Sequence, residues 1–187
     1  MEEVITNYIR EACERPGNVL GACFHTEHLC LVHRYAIGLC RELDGDTGIV
    51  GQAAWLHDIA AILDFGCQPT HAEDGAAIAG RLLREHGYPS DRAERVEDCI
   101  RRHSKPLTLG QASLEAVCLS NADAMSQIVN PAYWLGFAMK VKSLDATAAR
   151  KWYLDRIAGQ WASLIEPART MIASRYHLVT EAIGYPA

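Results

Sequence analysis

The chain has 187 residues, of which 49% are hydrophobic and 22% are charged, and its formal net charge is −5 at pH 7. This length suits one domain, and the composition supplies both a substantial apolar core and an ordinary soluble surface, which excludes a disordered or fibrous chain. The acidic balance, with Lys and Arg scattered along the chain, excludes the basic stripe of an extended nucleic-acid surface but remains compatible with a small anionic substrate.

The beginning of the chain, Met1–Ile5, is acidic and lacks the basic start and apolar stretch of a signal peptide. No apolar run approaches the ~20 residues that a membrane span requires. The seven cysteines are odd in number and show no Cys-x-x-Cys spacing, which favours free thiols in a reducing compartment over a disulfide framework. These features predict a soluble, cytoplasmic protein that has no membrane partner.

Helical periodicity dominates the first third of the chain. From Glu27 to Leu43 the apolar residues recur at the spacing of an amphipathic helix. Gly45 and Asp46 interrupt this pattern, and the segment from Thr47 to Ile62 is so apolar that we expect a helix buried on most sides. Two consecutive helices are therefore predicted before residue 63.

A capping box predicts the start of the next helix, with Thr70 as the N-cap and Glu73 three residues later. Its apolar pattern continues to His86, where Gly87 provides a typical stop. Five further helices are predicted from the same signals: Ser90 or Asp91 to His103, Ser113 to Ile128, Tyr133 to Lys140, Asp145 to Leu164, and Pro167 to about His177. No strand-like alternation occurs, so we expect an all-α single domain over residues 1–187, a compact bundle of about eight helices.

The adjacent pair His57-Asp58 ends the strongly apolar stretch that begins at Ile49. Burying a carboxylate there costs several kcal/mol unless a cation meets it. The segment from Thr47 to Ile62 contains no Lys or Arg that could provide that charge. A metal ion would provide it, and an imidazole beside a carboxylate is a suitable pair of ligands.

Two residues on other predicted helices are suited to complete the ligand set. His28 opens the helix that begins at Glu27 and lies on its apolar stripe, while Asp123 is an acidic residue within the apolar segment Leu119–Met125. We therefore predict that His28, His57, Asp58 and Asp123 gather at least one divalent metal.

These four residues resemble the motif of the HD superfamily of metal-dependent phosphohydrolases. That family carries a helical His, then a His-Asp doublet, then a distant Asp, which appear here as His28, His57-Asp58 and Asp123. The resemblance covers residues 28–123 and implies an HD-type helical domain, with the C-terminal helices of residues 131–180 covering the site.

Two more histidines resemble the larger ligand set of the dinuclear members of this family. His71 precedes a Gly-Ala helix, and His103 follows Cys99-Ile-Arg-Arg. The resemblance implies that His28, His57, Asp58 and Asp123 bind one ion and that Asp58 bridges to a second ion held by His71 and His103. Taken alone, His71 is equally explained as an exposed residue of a first helical turn, and His103 as a helix-ending residue favoured by the macrodipole. One or two ions are expected, with Fe, Mn, Co, Mg and Ni as candidates.

The resemblance implies hydrolysis of a phosphate ester or nucleotide by a metal-activated water, with a small phosphorylated metabolite or nucleotide as the ligand. Asp58 would serve the chemistry directly. Lys105, two positions after His103, is the first candidate for contact with the phosphate, followed by Arg34 and Arg102. The frequent family Gly after His-Asp-Ile is Ala60 here, and no Lys follows it, so the branch that cleaves cyclic dinucleotides is a poor match.

Two alternatives remain open at the level of sequence. Some HD proteins with the same six ligands hold a mixed-valence di-iron centre and oxidise a small organic substrate with O2. A non-catalytic helical binding module is the other alternative, but it does not explain two acidic residues in apolar helices. The sequence also leaves homodimer formation open.

Overall fold

The computed structural model describes residues 2–184, which form ten α-helices and, within that range, no strand. The helices are α1 (Glu2–Glu14), α2 (Cys30–Glu42), α3 (Thr47–Leu56), α4 (Ile59–Leu63), α5 (His71–Glu85), α6 (Ser90–Arg102), α7 (Leu114–Val129), α8 (Pro131–Lys140), α9 (Ala146–Ser163) and α10 (Glu166–Ile183). A π-helix, His25–Leu29, leads directly into α2, and a 3-10 helix, Phe65–Thr70, leads into α5. The predicted all-α class is confirmed.

Helix α7 occupies the middle of the bundle. It packs against α2, α3, α6, α9 and α10, and most of its residues from Glu115 to Ile128 are buried. One hydrophobic cluster draws buried side chains from all ten helices. Polar side chains of α7 are therefore largely shielded from solvent.

Helix starts follow the sequence signals at two of the predicted caps. The side chain of Ser113 accepts a hydrogen bond from the backbone N–H of Ala116, and Asp145 accepts one from Ala148. Each satisfies one of the N–H groups that the first turn of a helix leaves without a partner. These caps set where α7 and α9 begin.

The predicted capping box at Thr70 is wrong. Thr70 precedes α5 as expected, but its side chain makes no cap hydrogen bond to the helix, and its hydroxyl donates to the carboxylate of Asp74 at 2.5 Å. Glu73 instead pairs with Arg101 of α6 at 2.9 Å. Because the 3-10 helix runs straight into α5, Thr70 lies at φ −113° and ψ 7°, outside the extended conformation that an N-cap requires.

Two of the differences between the predicted and the observed helices concern α1 and the segment that forms α3 and α4. The single helix expected from Thr47 to Ile62 is divided at His57 and Asp58, where α3 ends and α4 begins. Helix α1 was not predicted, although Ile5 and Ile9 share its buried face. Helix α1 is held by tertiary contacts with α3 and α4, and the break leaves His57 and Asp58 between two helices.

All seven cysteines are free thiols, and four of them are buried. Among the described residues, no helix combines the length and the apolar character needed to cross a bilayer.

Candidate metal centre

The six predicted ligands converge on one place inside the bundle, although they come from five separate parts of the chain. The elements that deliver them are the π-helix (His28), the break between α3 and α4 (His57 and Asp58), the start of α5 (His71), the end of α6 (His103) and the middle of α7 (Asp123). Within residues 2–184, the potential ligand atoms form two close groups: His28, His57 and Asp58, and Asp58, His71 and His103. In each group the ligand atoms all lie within 4.8 Å of one another.

Asp58 belongs to both groups because its two carboxylate oxygens face in different directions. Oδ2 lies 3.2 Å from Nε2 of His57 and 3.5 Å from Nε2 of His28. Oδ1 lies 3.6 Å from Nε2 of His71 and 3.7 Å from Nε2 of His103. The carboxylate therefore stands between two histidine pairs, as a bridging ligand would.

Asp123 adds a second carboxylate to the first group only. Its Oδ1 lies 3.3 Å from Nε2 of His28 and 3.9 Å from Nε2 of His57. Both carboxylate side chains are 17% exposed, whereas His28 and His57 are almost completely enclosed. The two groups thus differ in composition, since one can offer two imidazoles and two carboxylates and the other two imidazoles and one carboxylate.

The rings of the four histidines are oriented by hydrogen bonds at Nδ1. Three of them meet a backbone carbonyl three residues earlier, at distances from 2.6 to 2.9 Å: His57 to Ala54, His71 to Gln68, and His103 to Ile100. A carbonyl can only accept, so Nδ1 carries the proton in these rings and Nε2 presents its lone pair.

His28 reaches the same tautomer through a hydroxyl. The hydroxyl of Ser126 donates to the backbone carbonyl of Asp123 at 2.8 Å, so its oxygen accepts from Nδ1 of His28 at 3.0 Å. Partners of this kind fix the ring and the tautomer of metal-binding histidines.

Within each pair, two Nε2 atoms face each other at 3.2 Å, His28 against His57 and His71 against His103. Two lone pairs at this distance repel unless a proton or a cation lies between them. Nitrogen ligands bind zinc and similar ions at about 2.0–2.1 Å, which places two ligands of one ion roughly 3 Å apart. The donor set and its spacing therefore fit divalent metal ions.

The charges of the site respond to the same geometry. Burial lowers the pKa of His28, but hydrogen bonds to Asp123 and Asp58 outweigh it and raise the pKa to about 9. Burial also opposes ionisation of Asp123, yet its hydrogen bond to His28 keeps the pKa of that carboxyl below its usual range. Without metal, a protonated His28 can therefore supply the positive charge that the carboxylates require.

We expect the metal-free protein to lose stability as the pH rises from neutrality through about 9. The folded pKa of His28 is about 9, above the value of about 6.5 for an unfolded histidine. The stabilisation of the folded state by protonated His28 is therefore complete below about pH 6.5, and it is lost as the pH rises through the pKa of the folded state. Thermal unfolding in EDTA from pH 6 to 10 measures this, and the His28→Gln variant should show a flatter dependence. If the melting temperature falls equally with pH in both proteins, His28 is not the group responsible.

A cavity of about 640 Å³ opens over the two groups. Asp58, His71, His103 and Asp123 reach its inner surface. Much of the remaining wall is aromatic and comes mainly from α8 and α9: Phe24, Phe65, Trp134, Phe137 and Trp152. Helices α8 and α9 line this cavity, whereas α10 contributes none of its described residues to it.

Two cations in this cavity were not predicted from the sequence. The guanidinium of Arg156 lies 5.6 Å from the ring centres of both Trp134 and Trp152, and Nζ of Lys142 lies 5.7 Å from that of Trp152. A sequence signal did exist, because Trp152 and Arg156 are four residues apart and so share one helix face.

Lys105, the predicted phosphate contact, lies elsewhere. It is exposed and lines a smaller cavity of about 220 Å³ next to His103 and Asp123 rather than the larger one. Its backbone carbonyl accepts a hydrogen bond from the hydroxyl of Ser120 at 2.6 Å. A role for its side chain in binding phosphate remains a prediction.

Comparisons with known proteins agree with this geometry. The family model of the HD domain matches residues 26–128, more than half of the chain. A search of curated proteins finds no match to the sequence.

Three solved structures share the fold over nearly the whole chain. A predicted HD superfamily hydrolase from an uncultured Thermotogales bacterium is 24% identical, with a TM-score of 0.64 over 97% of this chain and 88% of that one. Bacillus subtilis YpgQ, solved in complex with ADP, is 16% identical, with a TM-score of 0.72 over 98% and 94% of the two chains. An HD-superfamily hydrolase from Bacillus thuringiensis is also 16% identical, with a TM-score of 0.72 over 98% and 93%.

Proposed function

Because this chain belongs to the HD domain family, we propose that it is a metal-dependent phosphohydrolase that cleaves a phosphate ester or a nucleotide. The observation that carries the proposal is the position of Asp58, whose two oxygens face two separate histidine pairs beneath a cavity. A binding module has no need for two carboxylates and four imidazoles whose Nε2 lone pairs point at one another.

We assign two metal ions to the site. His28, His57, Asp58 and Asp123 would hold one ion, and Asp58, His71 and His103 would hold the other. Imidazole and carboxylate together suit Fe, Mn, Co or Ni, and Mg is compatible with the carboxylates. Bound there, divalent ions would lower the pKa of a coordinated water towards neutrality and offset the negative charge that develops during phosphoryl transfer.

The side chains of the cavity wall suit a phosphorylated ligand. Lys142 and Arg156 bring two positive charges to a wall that also carries five aromatic side chains, so a phosphate can pair with the cations while a planar group stacks on the rings. The ADP bound to YpgQ supports a nucleotide as the ligand. We therefore propose Arg156 and Lys142 as phosphate contacts in the larger cavity, in addition to the role predicted for Lys105.

We further propose that the protein acts in the cytoplasm on a small metabolite or nucleotide. Seven free cysteines suit a reducing compartment.

Release of phosphate is the direct test. The purified protein, loaded in turn with Mn2+, Co2+, Mg2+, Ni2+ and Fe2+, is incubated with nucleoside mono-, di- and triphosphates and with simple phosphate esters. We expect release from at least one substrate class, and we expect EDTA to abolish it. The Asp58→Asn protein is the matched control because it keeps the shape of the site without its bridging charge.

Two results would count against phosphate hydrolysis. A fully metallated protein that releases phosphate from none of these compounds would contradict the proposal. Consumption of O2 together with the EPR signal of a half-reduced iron pair would replace it with the di-iron oxygenase.

A further inference from the structure

Gln127 lies one helical turn after Asp123 on α7 and contacts its carboxylate. The side-chain nitrogen of Gln127 donates to both oxygens of Asp123, at 2.9 and 3.0 Å. Gln127 is only 4% exposed, so water cannot readily replace this contact. The amide therefore sets the orientation of one carboxylate of the metal centre.

The orientation of this amide is itself determined by donors on α9. The carbonyl oxygen of Gln127 accepts from Nε of Arg156 and from the side-chain nitrogen of Gln160, both at 2.7 Å. A guanidinium has only donors. Turning the amide over would set its NH2 group against the guanidinium and its oxygen against the carboxylate of Asp123, so only one orientation satisfies both neighbours.

Arg156 is in turn held in place by aromatic rings. Its guanidinium lies 5.6 Å from the ring centres of both Trp134 and Trp152, at the distance of favourable cation–π contacts. The hydrogen bond to Gln127 uses Nε, and in the described part of the chain no hydrogen bond engages the two terminal nitrogens. Arg156 lines both the larger and the smaller cavity, so it connects the substrate space with the ligand carboxylate.

We propose that Arg156 and Gln127 form a hydrogen-bonded relay that positions Asp123 for metal binding. Arg156 fixes the amide of Gln127, and that amide keeps the carboxylate of Asp123 turned towards His28 and His57. Both are positioning residues for the ion, and Arg156 offers its free edge to the phosphate of the substrate. The relay rests on the proposed function, because it assumes that Asp123 is a ligand.

The relay explains why a glutamine and an exposed arginine accompany this carboxylate. Asp123 is buried enough that a wrong rotamer would leave a charge without a partner. Groups that orient metal ligands contribute about 10- to 100-fold to metal affinity. Loss of the Gln127 amide should therefore lower the affinity for the ion held by Asp123 by a factor in that range.

The test is the affinity of the full-length protein for Mn2+, measured by calorimetry and by the EPR signal of free Mn2+. The ion held by Asp123 has the larger ligand set, so we expect it to be the tighter of the two. We expect Gln127→Met to raise its Kd about 10- to 100-fold, and Arg156→Met to raise it about 10-fold. Arg156→Lys should restore part of the loss because an ammonium can still donate to the amide oxygen. Lys142→Met is the matched control: it removes a cation from the same cavity without touching Gln127, and its Kd should equal that of the wild type.

The outcomes separate the relay from a general effect on folding and from failure of the proposed function. A Kd equal to that of the wild type in both Gln127→Met and Arg156→Met would overturn the relay. An equal loss of Mn2+ affinity in Lys142→Met would also overturn the relay, because the effect would then come from the removal of a positive charge from the cavity. If Gln127→Met fails to fold, the series at the exposed Arg156 decides the question. Absence of Mn2+ binding in the wild type would instead remove the proposed function, and the relay with it.

Discussion

Replacement of Asp58 by alanine is expected to abolish metal binding and hydrolysis together. Asp58 is the one residue shared by both ligand groups, and each of its oxygens faces a different histidine pair. Its loss removes an anionic ligand from both ions at once, so we expect an affinity more than ~100-fold weaker, beyond what loss of an orienting group causes. Metal content by elemental analysis and phosphate release on the same sample measure the two effects.

Two control variants separate loss of the ligand from loss of the fold. Asp58→Asn preserves shape and hydrogen bonding but not charge, and it should also bind metal poorly. Asp155→Ala removes an exposed carboxylate of α9 that pairs with Lys151, and it should retain wild-type metal content and activity. A folded Asp58→Ala protein that remains active and fully metallated would rule out the site.

The part of the centre that the sequence predicted follows from the cost of burying charge. His57-Asp58 and Asp123 lie in apolar stretches of the sequence without a nearby Lys or Arg, so burial of either carboxylate required a cation. His28 followed from its position on an apolar stripe. His71 and His103 lie at helix ends, where solvent or the macrodipole explains a histidine equally well, so only the family resemblance identified them.

The parts that the sequence did not predict depend on how helices pack. The separation of α3 from α4 places the side chains of His57 and Asp58 towards one centre, and no local propensity signals that break. Arg156 and Gln127 are 29 residues apart in the chain, and they meet only because α9 crosses α7 at this point. The course of the chain after α6 also depends on packing, and it places Lys105 at the smaller cavity beside His103.

The second large effect is expected at His103, where substitution by alanine should leave one ion instead of two. The second group contains only Asp58, His71 and His103, and loss of one imidazole leaves too few ligands to retain an ion. The first group keeps all four of its ligands, His28, His57, Asp58 and Asp123, so its ion should stay bound. Removal of one source of electrostatic stabilisation typically costs on the order of 100-fold or more in rate, and we expect a loss of that order in phosphate release.

His86 provides the matched control for this experiment. Its Nδ1 also meets a backbone carbonyl, that of Leu82 at 2.9 Å, but it lies at the end of α5 and belongs to neither ligand group. His86→Ala should therefore bind two ions, whereas His103→Ala should bind one when Mn2+ is titrated into metal-free protein. Two ions in His103→Ala would show that His103 is not needed to hold the second ion, and a single ion in the wild type would show that Asp58 does not bridge two ions. The comparison is decisive because both substitutions remove an imidazole from a helix end, and only one removes it from the metal centre.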